Sequence, residues 1–476
     1  MPLPTIPSGN VASAIGGGYE VANSCMFNND DGAYMHKTPG SAGNLRTWTF
    51  SAWVKKCTNG VDNYLLSSYV DANNTVNVWF NSDDVLECQI KASGNNYKLS
   101  TNRVFRDVSA WINIIFAVDT TESTEGDRFK IWINGTRETS FATDNYPALN
   151  TDGVLNDTTQ MNIGKYDSGT TYFDGYMAEV CLVDGSQLAA TSFGEFDDDT
   201  PTIWKPIDVS GLTFGTNGFY CDYEDSANLG NDANGGTDLT EVNLAATDQA
   251  TDTPTNNFCT MNPLDNYYQG STFSEGNCQV VTKTGSGSYS FNTATFWLTS
   301  GKWYWEIKYS ANTSTDHELM VGIASSLAPD AQDALGEQTN NYAYRTSTGQ
   351  TYTGGSGSSY GDTWTLNDIV GVYLDLDNNK LYFSKNGTLQ NSGTGVSITD
   401  PASTTYGAYS PAFGDWSDAN SLTGQNNFGG CPSFSISSSV SDDNGYGSFE
   451  YSPNITGDGS AKKFYALCTK NLAEYG

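Results

Sequence analysis

A period-two alternation of apolar and polar residues, punctuated throughout by Asn, Asp and Gly, leaves this chain little choice but antiparallel sheets. In Trp48-Thr49-Phe50-Ser51-Ala52-Trp53-Val54, residues Trp48, Phe50, Ala52 and Val54 share one face and Thr49, Ser51 and Trp53 the other, the signature of a pleated strand. Trp303-Tyr304-Trp305-Glu306-Ile307-Lys308-Tyr309 repeats the pattern with Trp303, Trp305, Ile307 and Tyr309 aligned. The same reading predicts strands at Val76–Phe80, Val85–Lys91, Ile112–Val118, Phe129–Ile133 and Tyr176–Val183. In the second half it predicts Leu319–Ile323, Ile369–Leu376 and Lys380–Ser384. No helical periodicity competes over a comparable length. The halves echo each other: Phe129 to Ile133 runs into Asn134-Gly135, and Lys380 to Lys385 runs into Asn386-Gly387. Asn-Gly suits a two-residue type I′ turn, because both central residues take φ > 0.

Composition narrows the function classes. The 476 residues carry 22 basic and 54 acidic side chains, a formal charge of −32, which repels phosphate backbones and the anionic face of a bilayer. Neither nucleic acid nor membrane insertion is expected, and no apolar run is long enough to span a bilayer. Aromatics reach 13% while charged residues stop at 16%, so the chain can bury real cores rather than stay disordered. Met1 to Gly18 has no basic n-region and no apolar h-region, so a signal peptide is not expected. The nine cysteines show no C-x-x-C spacing and read as buried free thiols of a reducing compartment. The sequons at Asn134 and Asn386 are then read as turn chemistry alone.

The expected organisation is an N-terminal arm over 1–18, a first β domain over 19–206, an acidic connector over 207–266 and a second β domain over 267–476. The connector carries Asp, Thr and Asn with only a small apolar island, Leu212 to Tyr220 and then Leu239 to Leu244. It reads as an ordered segment draped over a domain.

Several motifs carry a resemblance. In the second half, Gly301-Lys302-Trp303-Tyr304-Trp305-Glu306, Val321-Gly322-Ile323-Ala324, Asp368-Ile369-Val370-Gly371-Val372-Tyr373-Leu374-Asp375, Leu381 to Gly387 and Tyr409-Ser410-Pro411-Ala412-Phe413 stand in order. This half resembles a SPRY domain. Trp48 to Val54, Trp111 to Phe116, Phe129 to Thr136 and Phe173 to Val180 resemble a laminin-G-like, concanavalin A-like jelly roll. The implied fold is all-β: two tandem concanavalin A-like jelly-roll antiparallel β-sandwiches joined by the acidic connector. The pairing, with Asp252 to Phe258 between the domains and Phe464 to Leu472 at the close, is similar to virion surface proteins of tailed bacteriophages, tail-fibre-like or head-fibre-like. The resemblance implies a virion location, assembly in the host bacterial cytoplasm, contacts with other virion proteins, and a homo-oligomer, a trimer by the habit of such appendages. It also implies adhesion to a host surface glycan or protein. No tail-adaptor domain and no heptad or collagen-like shaft accompanies it.

Catalysis is not expected. Concanavalin A-like glycosidases need two carboxylates about 5–10 Å apart, and no Glu-x-Asp-x-x-Glu run exists; Asp375 and Asp377 have the spacing but flank a hairpin, where Asp caps and solvates. The two histidines, His36 and His317, accompany no nucleophile elbow or reactive-Cys signature. No cofactor is called for; Asn28 to Gly32 and Asn81 to Asp84 offer oxygen ligands for calcium, yet lack the spacing of a dedicated loop and read as solvated turns. Binding remains. Glycan sites use flat aromatic faces with polar neighbours, and the candidates are Tyr342, Tyr344, Arg345, Tyr352, Tyr360 and Trp416. Leu327 to Asp362 reads as the loop region through which SPRY-like domains recognise partners. Adhesion to an anionic envelope would rest on aromatic and hydrogen-bonding contacts or on bridging cations. The rival readings are a capsid decoration protein without receptor function and an envelope depolymerase.

Overall fold

The computed structural model describes residues 18–476 except 267, 269, 284–288, 314–316, 417–419 and 457–461. The expected N-terminal arm, apart from Gly18, lies outside the described residues. The described chain forms two compact all-β units, 18–256 and 257–476.

The unit 18–256 is a sandwich of two eight-stranded sheets. One is centred on Thr47–Lys56, paired antiparallel with Ile112–Asp119 on one side and Gly175–Asp184 on the other. The other runs through Asn63–Asp71, Asn74–Phe80, Val85–Ala92 and Asn95–Val104, successive antiparallel neighbours. Trp48, Phe50, Ala52 and Val54 point into the core between the sheets. Thr49, Ser51 and Trp53 are buried too, which simple alternation does not predict. Later chain covers that outer face: Trp204 donates its indole N–H to Asn113 Oδ1 (3.1 Å) on the neighbouring strand, and Asp252 pairs with Lys55 at 2.7 Å.

The segment 207–266 is therefore not a separate connector. Phe219–Cys221 pairs with Gly175–Asp184, Thr240–Val242 with Tyr34–Lys37, and Gln249–Ala250 with Ser24–Phe27. The apolar island and the residues between its two parts supply the physical reason, since Phe219, Cys221, Tyr223, Leu229 and Leu239 all enter the first core. The two units meet in sequence at 256/257, so the expected boundaries at 206 and 266 are replaced by one.

The unit 257–476 has a nine-stranded and a six-stranded sheet. Lys302–Asn312 pairs antiparallel with Ile369–Asp375 and with Leu422–Asn427. Trp303, Trp305, Ile307 and Tyr309 fill the core between the sheets. Tyr304, on the opposite face, packs with Phe449 and Phe464 of the closing segment in a second cluster. The six-stranded sheet includes Leu319–Ala324, Tyr342–Arg345, Gln350–Thr353 and Ser356–Ser359, so about a third of the expected loop region Leu327 to Asp362 is strand and the rest is loop. The only α-helix among the described residues is Thr469–Tyr475, and no described helix is long and apolar enough to cross a membrane.

The two Asn-Gly corners are built alike. Asn134 and Gly135 have φ of 46° and 74°, and Asn386 and Gly387 have 47° and 76°, as a type I′ turn requires. In each, the Asn also staples the strand beside the hairpin. Asn134 N–H donates to Asn113 O (3.0 Å) and Asn134 Oδ1 accepts from Asn113 N–H (2.8 Å). Asn386 makes the same pair with Ile369, both at 2.8 Å.

All nine cysteines are buried.

Candidate functional site

The six expected binding residues divide by strand parity. Along Tyr342-Ala343-Tyr344-Arg345 the two tyrosines face the core, where both are buried, as is Tyr360. Their hydroxyls serve the fold: Tyr344 donates to Asp362 O, Tyr360 accepts from Phe383 N–H at 3.2 Å, and Tyr342 accepts from Thr399 N–H at 3.1 Å. Tyr342, Tyr344 and Tyr360 are thus core residues rather than a ligand face, because buried hydroxyls must find partners.

Arg345, Tyr352 and Trp416 come together on the opposite face of the same sheet. The Arg345 guanidinium lies 5.5 Å from the Tyr352 ring centre and 5.1 Å from that of Trp416, within cation–π range. Arg345 Nε donates to Glu318 Oε2 at 2.5 Å, and Arg345 Nη1 lies 3.3 Å from the Tyr352 hydroxyl. Ser347 Oγ donates to the same Glu318 oxygen at 3.1 Å.

Glu318 and Ser347 also line a cavity of about 410 Å³. It opens where Lys302–Asn312 ends and where Leu319–Ala324 and Ile369–Asp375 begin. Trp364 supplies an aromatic wall, Thr346, Thr363 and Thr365 supply hydroxyls, and His317 and Lys385 complete the lining. Local sequence fixes this end. Thr365 and Asp368 close a turn, Thr365 N–H on Asp368 Oδ2 at 2.8 Å. Lys385 Nζ reaches Thr363 O at 2.8 Å and Asp368 at 3.3 Å, and Thr346 Oγ1 donates to His317 O at 2.6 Å. Trp364 stacks against Tyr344, and its buried indole N–H has no hydrogen-bond partner. Glu318, Trp364 and Lys385 were not singled out by sequence; Trp364 in the Gly361 to Thr365 turn was the available signal.

The other candidates are already committed to the fold. Asp375 pairs with Lys302 (3.5 Å) and Asp377 Oδ1 accepts from Gly301 N–H (3.0 Å). In the expected solvated turns, Asn28 Nδ2 donates to Asp31 Oδ2 at 3.0 Å, and Asp84 pairs with Lys56 at 2.9 Å. Among the described residues no group of three or more His, Cys, Asp or Glu is placed to hold a metal ion. A larger cleft of about 610 Å³ in the unit 18–256 is lined by Arg46, Asp152 and Asp184. Asp184 there is occupied by Asn44 N–H (2.8 Å), Asn217 N–H (3.1 Å) and Asn156 Nδ2 (3.2 Å).

Comparison with known proteins agrees with this division. Residues 302–422 match the family model described as SPRY domain, and residues 28–190 match the concanavalin A-like lectin/glucanases superfamily. The chain is similar to the SPRY domain of human HERC1, at 18% identity and a TM-score of 0.29, over 37% of this chain and 99% of that one. It is also similar to the native heptameric SAP-like pentraxin from Limulus polyphemus, at 13% identity and a TM-score of 0.26, over 36% of this chain and 80% of that one. The protein is thus an all-β chain carrying a concanavalin A-like domain followed by a SPRY domain.

Proposed function

We propose that the protein is a non-enzymatic adhesin on the surface of a tailed-phage particle, oligomeric there, and that its unit 257–476 holds a hydroxyl-rich host ligand, a surface glycan, at the Glu318 cavity. The observation that carries the ligand class is the lining: hydroxyls, one acid, one cation and an imidazole around a buried indole, with no aliphatic side chain. Such a wall offers donors and acceptors for sugar hydroxyls. The virion location rests on the resemblance of the domain pair to phage surface proteins. A lectin-type role asks nothing of the chain beyond binding, in keeping with carboxylates tied into turns and ion pairs.

The test uses the full chain, labelled, on intact host cells and on intact particles. Cell binding that Glu318→Gln and Lys385→Ala each weaken about tenfold, an interaction difference of about 1.4 kcal/mol, is the expected result, together with label on the particle exterior. Label confined to the head without cell binding replaces this reading with a decoration role. Reducing sugar released from host envelope replaces it with depolymerisation.

A further inference from the structure

The opposite end of the Lys302–Asn312 strand carries a second, differently charged cleft. Its volume is about 540 Å³, and Lys302, Lys462, Lys463, Asp377, Tyr465 and Tyr475 line it. The unit 257–476 holds nine basic against twenty acidic side chains, yet three of those nine converge here. From Lys302 to Lys308, level with the Glu318 end, the strand covers roughly 20 Å at about 3.3 Å per residue. The two cavities are separate sites.

We propose that this cleft binds a carboxylated sugar, a hexuronate unit of an acidic polysaccharide. Each part of such a ligand has a counterpart. Lysines provide the carboxylate partners, and none is sealed away. Lys302 lies 3.5 Å from Asp375 with 28% of its side chain exposed, Lys463 is paired with Asp443 at 2.5 Å with 56% exposed, and Lys462 sits 5.0 Å from the Tyr382 ring centre. An incoming carboxylate therefore adds to partly screened cations without burying a lone charge. Tyr465 and Tyr475 stack with centroids 3.9 Å apart and planes 12° apart, a rigid aromatic slab of the kind that packs on sugar C–H faces. Asp377 spends one oxygen on Gly301 N–H and has a second for a ring hydroxyl.

That acid also decides between anions. A phosphate dianion brings twice the charge of a carboxylate against Asp377, and the cleft has no guanidinium for bidentate phosphate recognition. A monovalent carboxylate on a neutral polyol fits both halves of the lining. The cleft thus gives an acidic glycan a local foothold on a protein whose overall charge opposes it.

Titration calorimetry on the full chain with tri-galacturonate, with neutral galactotriose and with inorganic phosphate as probes tests this. Tri-galacturonate is expected to bind, with affinity falling at least about threefold as NaCl rises from about 20 to about 200 mM. The double variant Lys462→Gln/Lys463→Gln is expected to weaken it about tenfold, and Tyr475→Ala to weaken it independently, at unchanged circular dichroism. Glu318→Gln leaves this binding intact, which separates the proposal from that for the other cavity. Absence of tri-galacturonate binding, equal binding of galactotriose, displacement by equimolar phosphate, or an unchanged affinity in the lysine double variant would overturn it.

Discussion

Asp252 and Glu306, one buried acid from each sandwich, are held in different ways. In the unit 18–256 acid meets base: Lys55 and Asp252 meet at 2.7 Å with side chains 0% and 1% exposed, and Trp111 Nε1 donates to the other Asp252 oxygen at 2.9 Å. Beside them Lys56 Nζ bonds Asp84 Oδ1 (2.9 Å) and Phe105 O (3.0 Å). In the unit 257–476 a fully buried acid is surrounded by neutral donors. Glu306 accepts from the Tyr304 hydroxyl (2.9 Å), Asn427 Nδ2 (3.1 Å) and the N–H groups of Glu450 (2.9 Å) and Tyr451 (2.7 Å). An ion pair concentrates its energy in two atoms, whereas a donor cage spreads it over four. The same deletion should therefore cost very different amounts in the two units.

Asp252→Ala leaves Lys55 charged and buried, and a loss of about 3–5 kcal/mol is expected. Glu306→Gln turns one of the two acceptor oxygens into an NH2 donor, so that one backbone N–H, that of Tyr451 or of Glu450, faces a donor, and about 1–2 kcal/mol is expected. Denaturant melts of the full chain give the magnitudes, and hydrogen exchange by mass spectrometry assigns each loss to its unit. Equal losses would break the comparison.

The Asn-Gly corners, one in each unit, rank below the loss of the buried ion pair. A Cβ on Gly135 would lie 2.1 Å from Trp204 Cε3, and one on Gly387 would lie 2.6 Å from Tyr451 Cδ1. Both positions also have φ in the left-handed region. Gly135→Ala should cost roughly 2–4 kcal/mol, the sum of the left-handed penalty and overpacking against a buried indole. Gly387→Ala should cost less, because Tyr451 is only half-buried and can move aside. Equal losses would show that φ, nearly the same at the two positions, rather than the aromatic lid sets the cost.

These corners were legible in the sequence because an Asn-Gly pair and a two-residue alternation are local signals. The long strands were legible for the same reason, and both domain resemblances rest on them. The segment 207–256 was not: its strands, Thr240–Val242 and Gln249–Ala250 among them, are too short to show a period, and their acidic flanks mimic a linker. Among the site residues, reading aromatics as a set hid the parity that sends Tyr342 and Tyr344 inward and Arg345 outward. Both cavities depend on convergence of distant positions, such as Lys302 with Tyr475 or Glu318 with Lys385, which no local pattern records.

Glu179 sharpens the contrast through pH. It sits at the register shift between Ala178 and Cys181, with φ 52°, buried under the hydroxyls of Tyr220 (2.8 Å) and Tyr19 (3.2 Å). Burial, outweighing those two hydrogen bonds, pushes its carboxyl from 4.5 up to about 8. For Glu306 burial wins by less against its donors, and the carboxyl rises only to about 6. A raised carboxyl means that the folded state holds the proton longer than the unfolded state, so stability falls as pH rises from about 4.5 through the folded value. Glu179→Gln should remove a fall on the order of 3–4 kcal/mol, read as wild type minus variant from pH 5 to 8. Between pH 6 and 8 the Glu306→Gln difference should stay flat. A sloping Glu306 difference there, or a flat Glu179 one, would reverse which unit is pH-sensitive.

The smallest effects concern arginines at the two surfaces. Arg46 grips Asp152 through Nε (2.6 Å) and Nη2 (3.3 Å), but the side chains are 40% and 55% exposed, so water and salt supply nearly the same stabilisation once the pair is broken. Arg345 makes a similar contact with Glu318, but those side chains are 15% and 20% exposed, and it also covers the Tyr352 and Trp416 rings. Arg345→Gln should lose about 1 kcal/mol and retain that loss in concentrated NaCl, since ring contacts and a partly desolvated pair are weakly screened. Arg46→Gln should melt with the wild-type protein at any salt concentration. If Arg46→Gln proved the costlier change, the bidentate geometry would outweigh exposure, and the exposed rim of the first sandwich would count among its stabilising contacts.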